Sequence, residues 1–481
     1  MNEAVGDRAL VLGGSIAGTF AARVLSEFYR EVVVVDRDRV TGVRRARRGA
    51  PHAAQAHGLH ARGCQILETF FPDLIEDMRR AELPVGDLGE QRWYFNARPF
   101  RSSRTGLTSL TAQRPVVEEY FRNRVAALPN VTFLERTEAT GLLPAPDGTR
   151  VTGARLRSSS AESGGEFSLC ADLVIDATGR GSRTPVWLEH LGYERPVEQR
   201  MAIGLAYTTR LYRSRPGMLG GTRFINCLPS RENPRGAFFG QVDRDTCIVS
   251  LTGILGDHPP TDPGGFLEFA RSLPFAGVYE QIRDAEPLTD PVRFCFPASV
   301  RRRYERLSRL PEGLLVIGDA VCSLDPNYSQ GMTVAAMEAR ALHHHLRRGT
   351  PRSRAFMREV GRIVGTPWFT STTGDLAYEG MAEHTGTTGL RRLVARVGNA
   401  YVARLHDAAT KDPAVTNALM RVAGLVDRPT ALMRPRVLLG ALRRPADTER
   451  EPASDPPARR SGSGRTDALQ RLGGGTTSPD S

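Results

Sequence analysis

The first apolar run of the chain, Arg8 to Leu12, breaks into Gly13-Gly14-Ser15-Ile16-Ala17-Gly18 and resumes as a helical pattern from Thr19 to Ser26. A second run, Glu31 to Val35, is almost pure valine and closes on Asp36, the pattern of a parallel strand buried on both faces. Together they predict a β-α-β unit of about 30 residues. Beyond an arginine-rich loop (37–55), Leu67, Phe70, Phe71, Leu74, Ile75 and Met78 recur at helical spacing, and Val116 to Leu128 reads as an amphipathic helix ahead of a strand at Val131 to Glu135. The segments Val151 to Arg157 and Phe167 to Leu169 flank a polar hairpin connection, and Leu173 to Asp176 is a further buried strand closed by Ala177-Thr178-Gly179-Arg180-Gly181-Ser182.

From about Glu194 to Phe296 the pattern changes to alternating strands, Ile203 to Tyr212 and Ala237 to Thr252, the latter bent at Asp243-Arg244-Asp245. Leu314 to Ile317 returns to the buried parallel pattern, followed by Gly318-Asp319 and a helix starting near Ser329-Gln330-Gly331. Two blocks of parallel strands around a β-rich insert predict an α/β architecture: a Rossmann-like nucleotide-binding domain interrupted by an antiparallel sheet that forms a substrate domain. Arg352 to Leu442 reads as a C-terminal helical region without a recognisable chemical motif, and the Pro-, Ser-, Gly- and Arg-rich stretch from Arg443 as a disordered tail.

Composition narrows the class. With 481 residues, 40% hydrophobic and 25% charged, the chain can bury a large core. No apolar run approaches the ~20 residues of a membrane-spanning helix, so neither a span nor a signal peptide is expected. The six cysteines form no CxxC and no His/Cys cluster, which argues against a disulfide framework or structural zinc and for a reducing cytoplasm. A net charge of +12 comes from 64 arginines and one lysine, Lys411, spread along most of the chain. The clusters at Arg44-Arg45, Arg47-Arg48 and Arg301-Arg302-Arg303 read as solvated surface, and no nucleic-acid partner is expected.

The chemistry concentrates in three places. A glycine-rich turn between strand and helix lets backbone amides and the helix N-terminus meet a pyrophosphate; Gly13 and Gly18 hold the first and third glycine places and Ser15 the second. Asp36, 18 residues after Gly18, stands where an acid accepts hydrogen bonds from an adenosine ribose. Further on, Gly318-Asp319 ends a strand so that the carboxylate can reach ribityl hydroxyls, and Asp325-Pro326-Asn327-Tyr328-Ser329-Gln330-Gly331-Met332 turns a helix N-terminus towards the same place.

The N-terminal glycine-rich fingerprint, Asp176-Ala177-Thr178-Gly179-Arg180-Gly181-Ser182 and Gly318-Asp319, three separated motifs in this order, resemble the FAD-dependent monooxygenases related to para-hydroxybenzoate hydroxylase and squalene epoxidase, and most closely the actinobacterial flavin epoxidases of polyether pathways and their relatives in polyketide clusters. The resemblance spans roughly Arg8 to His345. It implies that Gly13, Gly14, Ser15, Ile16, Ala17, Gly18, Asp36 and Arg37 hold the ADP part of FAD and Asp319 the ribityl and pyrophosphate region. Arg114, in Gln113-Arg114-Pro115, matches the arginine that opens the helix beside the flavin; Arg47 matches an arginine kept near the cofactor; Gly331 and Met332 begin the flavin-facing helix. The segments implied are 1–85, 113–193 and 298–350 for FAD, 86–112 and 194–297 for substrate, 351–442 helical and 443–481 tail. His52 and Gln55 depart from the relatives, which carry glutamine and histidine there, while His57 keeps its place. Thr178 stands where the simpler aromatic hydroxylases often have aspartate, which leaves direct NAD(P)H binding open.

The implied activity is oxygen transfer from a C4a-hydroperoxyflavin to an alkene or aromatic carbon of an apolar polyketide-type natural product. Electrons come from NAD(P)H, directly or through a partner flavin reductase. No catalytic side chain is implied, nor an oligomeric state. The alternative is a cyclase of the same fold that keeps FAD as scaffold during a [4+2] ring closure. A halogenase needs a lysine between flavin and substrate, and Lys411 lies beyond the resembling region. His343-His344-His345 point in different directions on a helix and read as solvated rather than metal-binding, and Cys322 reads as packing. Trp93, Tyr94, Phe95, Phe238 and Phe239 are candidates either for core or for the wall of an apolar cavity.

Overall fold

A computed structural model describes residues 4–44, 47, 51–159 and 165–442. The tail expected beyond residue 442 lies outside the described residues. At the centre is a five-stranded parallel sheet in the order Leu314–Val316, Leu173–Asp176, Gly6–Leu12, Tyr29–Val35, Val131–Leu134. The first strand is central because the chain leaves it towards Tyr29–Val35 on one side and returns at Leu173–Asp176 on the other. Register aligns Leu12 with both Val35 and Asp176, and Asp176 with Val316. The residues following these strands, Gly13, Asp36, Ala177 and Ile317, therefore meet at one carboxyl edge, where open α/β sheets bind their ligands. Val32 to Val35 are buried with Leu10, Val11 and Leu173 to Ile175 in one core, which is why the valine run has no polar alternation.

An eight-stranded sheet runs Cys322–Ser323, Val292–Arg302, Glu198–Arg213, Thr246–Gly253, Gly236–Gln241, Phe224–Leu228, Arg92–Phe95, Arg98–Pro99. Its pairings are antiparallel except that of Phe224–Leu228 with Arg92–Phe95. The stretch expected to be one strand bent at Asp243 is instead two paired strands, Gly236–Gln241 and Thr246–Gly253. The Asp243 carboxylate accepts from the Asp245 amide and Val242 N–H bonds Thr246 C=O, so the polar triplet reverses the chain. Thr108–Gln113 pairs with Ala56–Leu59 and Val85–Asp87 in a separate three-stranded sheet. Only Arg92–Pro99 of segment 86–112 thus joins the large sheet, and the division at 297/298 falls inside the strand Val292–Arg302. Val151–Ser158 and Gly165–Cys170 pair antiparallel on either side of the polar connection.

The C-terminal helices acquire a role that their sequence did not announce. Leu405, Ala408, Val415 and Leu419 are buried in one cluster with Leu88, Trp93 and Phe224, so they back the edge of the large sheet. No helix of the described residues is long and apolar enough to cross a membrane.

Candidate flavin-type cavity

The glycine-rich turn is tight because two backbones touch. Gly13 has φ +105°, and a Cβ there would lie 2.5 Å from the Ala177 carbonyl oxygen; a Cβ on Gly18 would lie 1.8 Å from the Gly13 carbonyl oxygen. The Ile16–Leu25 helix begins with no side-chain cap, so its first amides keep their donor capacity for a ligand. Ser15 at the N-cap spends its hydroxyl elsewhere, donating to Glu118 Oε1 at 2.6 Å. Asp36 is buried, and its Oδ2 accepts the Gly14 amide at 2.8 Å while Oδ1 accepts Asp38 N at 2.9 Å. Burial pushes the Asp36 carboxyl above its ordinary value against the pull of Arg47.

Glu118 organises this end of the site, and the sequence reading did not select it. It lies on the Arg114–Ala126 helix with an arginine one turn before and one turn after. Its carboxylate accepts Arg114 Nε at 2.8 Å, Arg122 Nη1 at 2.7 Å and Arg47 Nη2 at 3.0 Å. Burial opposes ionisation, but Arg114, Arg47, Arg122 and the Ser15 hydroxyl outweigh it and hold the carboxyl well below the usual range. Arg47 is thereby fixed 3.6 Å from Asp36, and Arg114 Nη2 donates to Ser15 Oγ at 3.0 Å. The available signal was Arg114-x-x-x-Glu118-x-x-x-Arg122, whose i, i+4 spacing reads equally well as an exposed salt-bridged helix face.

On the opposite side Gly318, φ +64°, donates its amide to Glu338 Oε2 at 2.7 Å, and a Cβ at Gly318 would meet Ala17 Cβ at 2.8 Å. Glu338 is completely buried, and burial pushes its carboxyl up to about 8, so at neutral pH it is largely a neutral acid holding the turn that presents Asp319. Burial likewise raises the Asp319 carboxyl, opposed by Arg114 and Arg180. The loop from Asp325 to Gln330 is pinned from several directions. Asp325 Oδ1 accepts Asn327 N at 2.8 Å, the Tyr207 hydroxyl donates to Asn327 Oδ1 at 3.0 Å, and His60 Nε2 donates to Tyr328 C=O at 2.9 Å. Behind it the carboxyls of Asp325 and Asp375 are both buried; burial raises both, and the Asp325 charge raises Asp375 further, so the pair retains a proton that two exposed carboxylates would lose.

These elements enclose one cavity of about 740 Å³. Gly13, Ser15, Ile16, Ala17, Asp36, Arg37, Arg47, Arg114, Asp319, Gly331 and Met332 line it. Gly14 and Gly18 do not; they act through the Asp36 hydrogen bond and the helix-to-turn contact. The cavity continues past His52 and His57 to a chamber walled by Trp93, Phe224, Phe238, Phe294 and Phe296. Burial and then Arg114 lower the pKa of His52 to about 2 and of His57 to about 3, so both are neutral. His57 Nδ1 donates to Gln55 C=O at 2.8 Å, which leaves Nε2 as an acceptor.

The aromatic candidates divide between the two roles. Trp93 and Phe238 line the cavity, whereas Phe239 is fully buried in the sheet core, Tyr94 stacks on Phe275, and Phe95 packs on His406. Cys322 is buried with its thiol pKa raised by burial, consistent with packing. His343 lies against Phe28 and Phe70, and His345 pairs with Glu359.

No protein-family model matches the chain. It is 31% identical over 437 residues to Protein Rv3254 of Mycobacterium tuberculosis, covering 88% of this chain and 90% of that protein. Among solved structures it is similar to CmlS, a flavin-dependent halogenase (TM-score 0.59, 15% identity, 87% of this chain and 76% of that one). It is also similar to PqsL, a probable FAD-dependent monooxygenase from Pseudomonas aeruginosa (TM-score 0.54, 16% identity, 85% and 98%). By its identity over most of both chains the chain belongs to the family of Protein Rv3254, and its parallel sheet, large mostly antiparallel sheet and helical C-terminus are the fold of these flavin-dependent monooxygenase and halogenase structures.

Proposed function

We propose that the protein is an FAD-dependent monooxygenase that hydroxylates or epoxidises an apolar, polyketide-type small molecule in cytoplasmic secondary metabolism. The observation that carries this reading is the continuity of the cavity, from a dinucleotide-type turn and Asp36, past Asp319, into an aromatic chamber on the large sheet. The residues suit FAD. Gly13 and Gly318 lie where side chains would collide with the opposite wall. The uncapped helix N-terminus with Ser15, Ile16 and Ala17 suits a pyrophosphate, and Asp36 and Arg37 an adenosine ribose. Asp319 would hold the ribityl hydroxyls, Arg47 and Arg114 would offer cations along the cavity, and Gly331 and Met332, at a second helix N-terminus lining it, would hold the ring.

FAD held there would supply the activation of dioxygen, with NAD(P)H as the electron source, directly or through a flavin reductase. The chain's own residues bind and orient. The Glu118 cluster fixes Arg47 and Arg114, the neutral imidazole of His57 offers an acceptor without introducing charge, and the aromatic wall excludes water from the place of oxygen transfer. Oxygen transfer is favoured over halogenation because Lys411 pairs with Asp407 at 3.3 Å and does not line the cavity.

The test begins with colour: protein that neither carries flavin absorbance nor gains it on adding FAD refutes the reading. The intermediate that accumulates when the gene is deleted is then incubated with holoprotein, NADPH and a reductase in air. A product heavier by one oxygen supports the reading; an isomer of unchanged mass points to a cyclase that keeps FAD as scaffold.

A further inference from the structure

Eight of the twelve large hydrophobic side chains exposed among the described residues lie between Phe369 and Leu442. Four of them, Leu390 (76% exposed), Leu393 (47%), Val394 (43%) and Val397 (63%), follow i, i+3, i+4, i+7 spacing along the Gly389–Ala409 helix. They therefore form one face. The two ends of this helix differ sharply. Leu405, Ala408 and Ala409 are buried against Trp93 and Phe224 of the cavity wall, whereas residues 389–394 are all exposed.

Before Asp407, charge on the helix has one sign. Arg391, Arg392, Arg396 and Arg404 occur with no acidic residue before Asp407. Arg391, Arg392 and Arg396 are exposed, and Arg392 pairs with Glu383 outside the helix. A twofold contact with a second copy through this segment would set cations against cations with no acid from the same stretch to offset them. An anionic lipid surface suits both features. The aliphatic face rests at the boundary of the acyl chains while the guanidiniums reach headgroup phosphates along their flexible stems.

We propose that the exposed half of this helix docks the protein peripherally on an anionic membrane surface. Docking is independent of the flavin reading. Because the other half of the helix backs the aromatic wall, it would also hold the cavity beside the phase in which apolar ligands concentrate.

The test is co-sedimentation of the full-length protein with vesicles of phosphatidylcholine alone or mixed with phosphatidylglycerol. Binding is expected only with phosphatidylglycerol and is expected to fall as salt rises. Arg391→Ser and Arg396→Ser should each weaken it about fivefold, and Leu393→Asp combined with Val397→Asp should abolish it. All four side chains are exposed, so circular dichroism of the variants should match the parent; if the apolar pair aggregates, the arginine variants and the salt series still decide. Absence of binding, equal binding to both vesicles, or arginine variants that bind as the parent does overturns the proposal. So does a concentration-dependent dimer that the same substitutions dissociate, which would assign the face to a second copy. Flavin absorbance recorded on the same samples separates failure here from failure of the cofactor reading.

Discussion

Glu118 has three guanidiniums and a serine hydroxyl around one buried carboxylate, so removing it strands more charge than it deletes. Glu118→Ala is expected to destabilise the protein by about 3–5 kcal/mol, the range for breaking a buried ion pair from one side. FAD affinity should fall as Arg47 and Arg114 lose their anchor; urea unfolding and a flavin titration read the two effects separately. The pair Asp325–Asp375 makes a prediction about pH. Burial raises the Asp325 carboxyl from 3.8 to about 6, so the folded state binds more protons than the unfolded chain between those values. Stability linked to this group is therefore fully present below about pH 4, is lost as pH rises through about 6, and stays lost above. Asp375→Asn offers Asp325 an amide donor in place of the retained proton. Its melting temperature relative to the parent should thus be higher at pH 8 than at pH 4, and an equal difference at both would refute the retained proton. Such a pair was not legible beforehand, because Asp325 and Asp375 are 50 positions apart and neither stands in a periodic pattern.

At the scale of elements, the β-α-β unit was readable because a strand buried on both faces needs an unbroken apolar run and the turn after it needs glycine. Gly18 tests that account most sharply. A methyl group at this position meets backbone 1.8 Å away, and backbone cannot rotate aside as a side chain can. Gly18→Ala is expected to cost about 1–3 kcal/mol, as overpacking does, and to yield protein that retains less flavin than Gly42→Ala, where a Cβ meets nothing within 4 Å. Gly42 has φ +66°, so that control carries the backbone strain without the collision. The Asp243-Arg244-Asp245 turn illustrates the opposite case. Local polarity indicated a break in the strand, but whether a break bends a strand or reverses it depends on which neighbour supplies the next hydrogen bonds, here Thr246 returning along Gln241 and Val242.

Across the whole molecule, the cavity is bounded by parts remote in sequence, and its back wall depends on the C-terminal helices. Leu405 is fully buried behind Trp93 and Phe224, so Leu405→Ala should destabilise by about 2–5 kcal/mol. It should also loosen substrate binding more than FAD binding, since it supports the aromatic chamber and not the glycine-rich turn; parallel titrations of cofactor and substrate would detect the split. By itself the sequence determined the α/β class, the strands and turn of the nucleotide-binding unit, and the set Gly13, Asp36, Arg114, Asp319 and Gly331 that lies along the cavity. Apart from Arg114, which the family resemblance implied, these features follow from local periodicity, from glycine's freedom from Cβ collisions and from motif order. Only the tertiary structure decided that Glu118 joins Arg47 to Arg114, that Glu338 holds the Gly318 turn, which aromatics face the cavity, and that the last helices back it. Each of those depends on a partner tens to hundreds of positions away, and burial, which sets the charge state of a carboxyl or the exposure of a phenylalanine, belongs to the packed chain and not to any segment of it.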